Sequence, residues 1–265
     1  MSAELAAALE FERRITRRAA ETWTELPLGW EARHGRLADV YHLNTLLLRA
    51  PLPAEVGAPE LMALADARQG DLRHRRVVLD DEAAGELLSG TLLDARWERE
   101  RTVYMALGSD PQDALIDPRA RVLSEEQLRA VQHATLGEDD FGPLTSPGLI
   151  DRLVEAQAVL RAGTRALGFG AGQGEAVVSH CSLFCEAEPT DRRVAMIDTV
   201  GTLQASRQQG LAKAVVSAAV RAAGEWGADL IVVPADADDW PQLLYAGLGF
   251  APLGRQVGFT LSPGA

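Results

Sequence analysis

Met196-Ile197-Asp198-Thr199-Val200-Gly201-Thr202-Leu203-Gln204-Ala205-Ser206-Arg207-Gln208-Gln209-Gly210-Leu211-Ala212-Lys213-Ala214 runs through a strand, a tight turn and the opening of a helix. The strand is expected over 194–203 and the helix over 210–226. A helix that starts there aims several unpaired backbone N–H groups, and the positive end of its dipole, at whatever lies ahead of it. That is an anion cradle. Gly210 and Ala212 let phosphates come close to the backbone, and Arg207 and Lys213 add positive charge at the rim. The arrangement suits a pyrophosphate.

Working upstream, 164–169, 175–186 and 194–203 are three strand-like runs with short connections, which predicts an antiparallel meander. Two helices are expected before it. One spans 125–134, opened by a capping box between Ser124 and Gln127, and the other spans 148–162. Downstream of the 210–226 helix come a strand at 230–233, a helix at 239–246, Phe250 and a strand at 257–261. The same order occurs roughly 154 residues earlier as a β-rich 75–79, a helix at 81–94, Trp97 and a strand at 102–107. A duplicated strand–helix–strand unit is therefore expected. The first half also predicts a helix over 3–22 that closes before Pro27-Leu28-Gly29, a strand at 40–48, a Pro/Gly-rich break at 51–59 and a short helix at 60–68. Residues 108–118 carry Gly, Pro and Asp without periodicity and predict a linker, which divides the chain into domains 1–115 and 116–265. The sum is an α+β fold with a mixed, mostly antiparallel sheet flanked by helices.

Composition narrows the function classes. The 265 residues are 47% apolar, and 26 Lys+Arg stand against 38 Asp+Glu for a net charge of -12. Such a chain repels a polyphosphate backbone, and its basic residues come only as short pairs such as Arg13-Arg14 and Arg75-Arg76, so no nucleic-acid partner is expected. Cys181 and Cys185 lie four apart in a strand-like stretch, too far along one face to bridge without a bend. No apolar run approaches the ~18 residues of a membrane span, and the N-terminus lacks the basic-then-apolar order of a signal peptide, so a cytoplasmic protein without a membrane partner is expected.

Two local patterns carry a family resemblance. Arg207-Gln208-Gln209-Gly210-Leu211-Ala212 fits Arg/Gln-x-x-Gly-x-Gly/Ala, and Leu244-Tyr245-Ala246-Gly247-Leu248-Gly249-Phe250 fits Leu-Tyr-x-x-Leu-Gly-Phe. With a strand before the first and a helix after it, the chain resembles the GNAT superfamily of N-acetyltransferases over roughly residues 117–265. The duplicated unit resembles a tandem GNAT arrangement with an incomplete N-terminal copy. The resemblance implies acetyl-CoA as acyl donor. Its pantetheine arm would lie along the backbone of Gly201, Thr202 and Leu203, and its pyrophosphate would meet Arg207, Gln208, Gln209, Gly210, Leu211, Ala212 and Lys213. It also implies transfer of acetyl to a primary amine by direct attack in a ternary complex, with Tyr245 protonating the departing thiolate and the Thr202 N–H steadying the oxyanion. For the base that deprotonates the amine, Asp198 on the strand leading into the cleft is the first candidate, directly or through water, and Glu186 the second. The alternative is a non-catalytic acyl-CoA-binding regulatory module, against which Tyr245 speaks. Gln204 stands where the family usually has Pro, Asp238 where it has Asn, and Pro241 where a small residue is common. The N-terminal copy has Leu92 in place of Tyr245 and lacks the Arg/Gln-x-x-Gly-x-Gly/Ala stretch, so no cofactor is expected to bind there.

Other motifs have plainer readings. Gly168, Gly170, Gly172 and Gly174 join two strands rather than opening a helix, which predicts a hairpin turn and not a dinucleotide loop. In Ser179-His180-Cys181, strand neighbours point to opposite faces and cannot form a nucleophile–base pair. Glu138-Asp139-Asp140 and Asp236, Asp238, Asp239 lack His or Cys companions and calcium-loop spacing, so no metal is expected. The acceptor amine is open between small molecule, peptide and protein, and a homodimer is compatible with the tandem resemblance.

Overall fold

Helix α1 (Ala3–Ala19) begins where the Ser2 hydroxyl accepts the Leu5 amide at 3.1 Å. It buries Leu5, Ala8, Leu9, Phe11, Ile15 and Ala19 along one stripe, as its helical spacing predicts. A computed structural model describes residues 1–138, 148–172, 174, 176–187 and 190–262. Asp139, Asp140 and Glu175 lie outside the described residues.

After α1 come β1 (Thr22–Leu26), β2 (Gly29–Arg33), β3 (Thr45–Leu48), α2 (Ala58–Gln69), β4 (Arg75–Leu79), α3 (Glu82–Asp94) and β5 (Glu98–Leu107). The second half continues with β6 (Ala120–Val122), α4 (Glu125–Leu136), α5 (Leu149–Ala162), β7 (Arg165–Ala171), β8 (Ser179–Cys185) and β9 (Val194–Thr202). It ends with α6 (Leu211–Glu225), β10 (Leu230–Asp236), α7 (Pro241–Ala246) and β11 (Phe250–Leu261). The predicted capping box at α4 forms, with the Gln127 amide on Ser124 Oγ at 3.2 Å and the Ser124 amide on Gln127 Oε1 at 3.1 Å. The predicted meander is present as β7, β8 and β9, paired antiparallel in sequence.

All eleven strands form one sheet in the order β1-β2-β3-β4-β11-β5-β10-β9-β8-β7-β6. Its centre is an exchange between the halves. The strand that follows α3 pairs with the strand that precedes α7, β5 with β10, while β11 lies between β4 and β5. On either flank is one parallel pair, β3 with β4 and β9 with β10; every other neighbour is antiparallel. The two halves thus repeat the same local topology about the β5–β11 pair, in the α+β class expected from the sequence. The sheet runs without interruption past the 115/116 division, because β5 from the first half sits between β10 and β11 from the second.

Several boundaries differ from the sequence reading for tertiary reasons. β5 and β11 start well before the expected 102 and 257, because each lies against the other along most of its length in mid-sheet. Residues 22–33 form a hairpin that closes on Pro27-Leu28, and 40–48 opens with a 3-10 turn at Tyr41–Leu43 before β3. Helices α6 and α7 cover one face over Ala195, Ile197, Ile231 and Val233; α1 and α5 cover the other over Met196, Phe184, Tyr104 and Val232. Helices α2 and α3 cover β3, β4 and β11, and Leu92 is buried there at 1% exposure. Among the described residues no helix is long and apolar enough to cross a membrane.

Candidate active site

The strands β9 and β10 pair over three positions only, Val194–Leu230, Ala195–Ile231 and Met196–Val232. Beyond them β9 stays with β8 as far as Thr202, and β10 turns to β5 as far as Asp236. The sheet splits. Two sequence features allow this. One residue of β8, Cys181, stands against Thr199 and Val200, a bulge in which Thr199 takes a left-handed φ of 52°. A β-branched residue resists that conformation, and local bonds hold it: the Thr199 amide donates to Asp198 Oδ1 at 2.6 Å and its hydroxyl to Ser182 Oγ at 3.0 Å. Pro234 falls where β10 has already lost β9, and a residue without an N–H is tolerated beside such a gap.

Helix α6 begins at the open end of the split. Gly210 is its N-cap with φ 76° and ψ 8° and no side-chain cap, and Gln208 two residues before has φ 63°, so a left-handed turn leads from β9 into the helix. Leu211 anchors the helix in the core at 3% exposure, and Ala212 is half-buried beside exposed Lys213. Arg207 is exposed, and its Nε donates to the Thr202 carbonyl at 3.1 Å, so it ties the turn to the end of β9. A cation absent from the sequence reading, Arg119, lies at the same turn. Its Nη1 donates to the Gln209 carbonyl at 3.1 Å, and a Cβ on Gly210 would stand 3.8 Å from its Nη2. Backbone directions sort the three strand candidates. The Leu203 amide donates to Val178 O at 2.9 Å, so by antiparallel alternation Leu203 and Gly201 address β8 while Thr202 addresses the gap. Gly201 answers a packing demand, since a Cβ there would come 2.6 Å from His180 Nε2.

The two catalytic candidates lie on opposite faces of the split. Tyr245 is buried on the α6 side, 6.2 Å edge-on to Phe250, and burial together with the Asp198 charge pushes its hydroxyl well above the usual range. It stays protonated and can donate. Asp198 alternates to the other face and lines a cavity of about 290 Å³ with Glu12, Asp80, Arg13, His42, Arg76, Gln157 and Gln256. Burial raises the Asp198 carboxyl against the opposing bond from the Thr199 amide.

Glu12 is the residue that sequence reasoning missed. It projects from α1 into the cavity and accepts a hydrogen bond from the Tyr104 hydroxyl of β5. Burial lifts its pKa to about 7; the Tyr104 bond opposes this, and the charges of Asp198 and Asp80 add to it. A signal was present, since Glu12 interrupts the apolar stripe at the spacing of Ala8, Ile15 and Ala19. Asp80, also raised chiefly by burial, is held by Arg13 Nη2 at 2.6 Å and Gln256 Nε2 at 2.9 Å.

The remaining candidates lie elsewhere. Glu186 is fully occupied in holding α1, with Arg14 Nη2 at 2.6 Å and Arg18 Nη2 at 3.5 Å. Ser179 bonds the Gly201 carbonyl at 3.0 Å, His180 Nε2 meets Thr135 Oγ1 at 2.9 Å, and Cys181 Sγ reaches Val215 O at 3.4 Å, so the three do not converge. Asp238 pairs with Arg101, and the Gln204 backbone amide donates to Glu138 Oε2 at 2.7 Å. Pro241 opens α7, where a residue without an N–H is at home. In the first half the β3–β4 ladder holds through Leu48–Leu79, and no comparable gap opens there. Among the described residues no group of three or more His, Cys, Asp or Glu is arranged to hold a metal ion.

The chain matches no protein-family model and no curated protein. Solved structures do match. A functionally unknown conserved protein from Staphylococcus epidermidis superposes over 91% of this chain and 93% of its own, with TM-score 0.68 and 12% identity. A GCN5-related N-acetyltransferase from Kribbella flavida covers 100% of this chain and 97% of its own, with TM-score 0.63 and 22% identity. A tandem GNAT protein from the clavulanic acid biosynthesis pathway covers 83% of this chain and 76% of its own, with TM-score 0.54 and 14% identity. The split strands, the helix that opens on Gly210 and these likenesses together give the chain the GNAT fold.

Proposed function

We propose that this protein is an acyl-CoA-dependent N-acyltransferase that moves acetyl from acetyl-CoA to a primary amine by direct attack in a ternary complex. The observation that supports it most is the break in the β9–β10 ladder after Met196 and Val232, with the α6 N-terminus and left-handed Gly210 at its mouth. Bound acetyl-CoA supplies a thioester carbonyl. The amides from Gln208 to Lys213, with Lys213, receive the pyrophosphate beside the Arg119–Asp117 pair, and Thr202 offers the arm its amide.

Glu12 and Asp198 face the amine from the cavity side, and one of them takes the proton the ammonium must lose. Near neutral pH a group at about 7 is part ionised, which suits a base. The nitrogen–carbon bond forms, the carbon–sulfur bond breaks, Tyr245 gives its proton to the leaving sulfur, and the second proton shed by the nitrogen as the amide forms restores the Tyr245 hydroxyl. Each proton transfer is worth about 10²–10⁴ in rate.

Thermal shifts with and without acetyl-CoA test the reading on the wild type and an Arg207→Ala, Gly210→Trp double variant. A ligand at ~100 times its Kd adds about 2.7 kcal/mol to the folded state. A shift confined to the wild type is expected, and no shift in either protein overturns acyl-CoA binding. Tyr245→Phe then separates enzyme from binding module: kcat falls ~10²-fold or more with acetyl-CoA binding intact. An unchanged kcat removes Tyr245 from the chemistry.

A further inference from the structure

The cavity that holds Glu12 and Asp198 is walled by both halves of the chain. The first half contributes Glu12, Arg13, His42, Arg76 and Asp80, and the second Gln157, Phe184, Met196, Asp198 and Gln256. Its wall carries three carboxylates and two guanidiniums. Both guanidiniums already have acidic partners beyond the wall, Arg13 on Glu10 and Arg76 on Glu100. Glu10 is shared with Arg14, and Arg13 also holds Asp80 on the wall, which leaves Glu12 and Asp198 as the wall carboxyls without an ion-pair partner among the described residues. Burial holds Glu12, Asp80 and Asp198 all above the ordinary carboxylate range, and the charges of Asp198 and Asp80 both push Glu12 further. Burial thus favours the protonated carboxyls in the empty cavity, and a cation placed among them, where carboxyls outnumber guanidiniums three to two, would draw them back to the charged form.

His42 adds a separate observation. It lines the same wall and burial keeps it neutral, with its pKa pushed down to about 4. Its Nε2 is buried with no hydrogen-bond partner among the described residues, and the same holds for Gln157 Oε1. Two polar atoms at the wall thus wait for a donor that the protein does not supply. Between them Leu9, Leu47, Val78 and Met196 give an apolar lining. At about 290 Å³ the space is at the small end of ligand sites.

Resting on the acyltransferase reading of this site, we infer that the acceptor is a small linear aliphatic di- or polyamine, enclosed between the two halves. One nitrogen lies at Glu12 and Asp198, where it loses its proton and meets the acyl carbon through the gap between β9 and β10. The methylenes run along the apolar lining, and the distal ammonium takes the remaining negative charge, with Gln157 Oε1 and His42 Nε2 as acceptors. A zwitterionic amino acid fits less well, because its carboxylate meets guanidiniums that are already ion-paired. A neutral arylamine brings no cation to draw the buried carboxyls back to their charged form.

Calorimetric titration of the full-length protein with 1,4-diaminobutane and with butylamine, each with and without CoA, tests this, alongside acetylation assays on both amines, lysine and aniline. The diamine is expected to bind at least tenfold tighter than the monoamine. Asp80→Asn should remove most of that preference, whereas Glu12→Gln should weaken both amines alike, with folding checked by circular dichroism. Gln157→Leu serves as the second line, because it removes a distal acceptor that has no hydrogen-bond partner among the described residues. Diamine affinity should also rise between pH 6 and 8, as Glu12 ionises while both amines stay charged. The groups facing Glu12 are Tyr104, Asp198, Asp80, Arg13 and His42, of which burial keeps His42 neutral throughout. Equal binding of the two amines, or preferred acetylation of lysine or aniline, overturns the inference. If acetyl-CoA binds and another amine is acetylated while the diamine is ignored, the acceptor class fails and acyl transfer stands. If the diamine binds and acetyl-CoA does not, acyl transfer fails and the polyamine site stands.

Discussion

The Tyr104 hydroxyl, on a strand from the first half, donates to the Glu12 carboxylate of the N-terminal helix, and Glu12 lines the same cavity as Asp198 of β9. Tyr104 is itself completely buried, and burial and the Glu12 charge both drive its own ionisation far above the usual range. It is a fixed donor that favours the ionised form of Glu12. Three elements distant in sequence thus set the protonation of one carboxylate.

Glu12→Gln should trade activity for stability. A carboxyl whose pKa rises from 4.5 to about 7 on folding holds its proton more tightly in the folded state. The stabilisation is complete below pH 4.5 and is lost as pH climbs through 7. By linkage the loss is about 3 kcal/mol. The Gln variant should therefore have a flatter stability profile between pH 4.5 and 8 and a higher Tm than wild type at pH 8, while kcat falls ~10²–10⁴-fold. Thermal melts across pH, with steady-state kinetics, check both; a pH profile of stability identical to wild type removes Glu12 as a buried titrating group.

Tyr104→Phe takes away the bond that lowers the Glu12 pKa. The acidic limb of the kcat/KM profile should move to higher pH, and the lost partner of a buried carboxylate should cost about 1–3 kcal/mol of stability. An unmoved limb would mean that another group provides the base.

At the cradle, Gly210→Ala should cost about 1 kcal/mol, because φ 76° is strained for any residue with a Cβ. Arg119→Ala should weaken acetyl-CoA several-fold, since its guanidinium, paired with Asp117, holds the Gln209 carbonyl at the same turn. Titrations at low and high ionic strength separate lost charge from lost packing.

Residues 116–265 expressed alone should aggregate or stay unfolded. Without β5 both β10 and β11 lose their shared neighbour and expose unpaired backbone. Supplying residues 1–115 as a second chain should restore a soluble complex on gel filtration. A monomeric, folded 116–265 fragment would show that the strand exchange is dispensable.

How much was legible varies with the range of the forces involved. The α4 capping box, the β7–β8–β9 meander and the helix after Gly210 follow from residues within a few positions of each other, and they stand where the sequence puts them. The hairpin over 22–33 went unseen because its ladder is confirmed only by β3 packing alongside. The charged start of β5, Glu98 to Arg101, does not look like a strand, and only its position against β11 makes it one.

The sequence by itself determined the local turn chemistry: a strand, a left-handed glycine and a helix whose first amides are free for an anion, with a tyrosine on the short helix downstream. Tertiary structure alone decided the exchange of β5 and β11 and the cavity that brings Glu12, Asp80 and Asp198 together. Tyr104 meets Glu12 across 92 positions and Gln256 meets Asp80 across 176. Such contacts depend on which strands lie side by side, and desolvation of a carboxylate depends on everything packed around it, so neither is written in any local pattern.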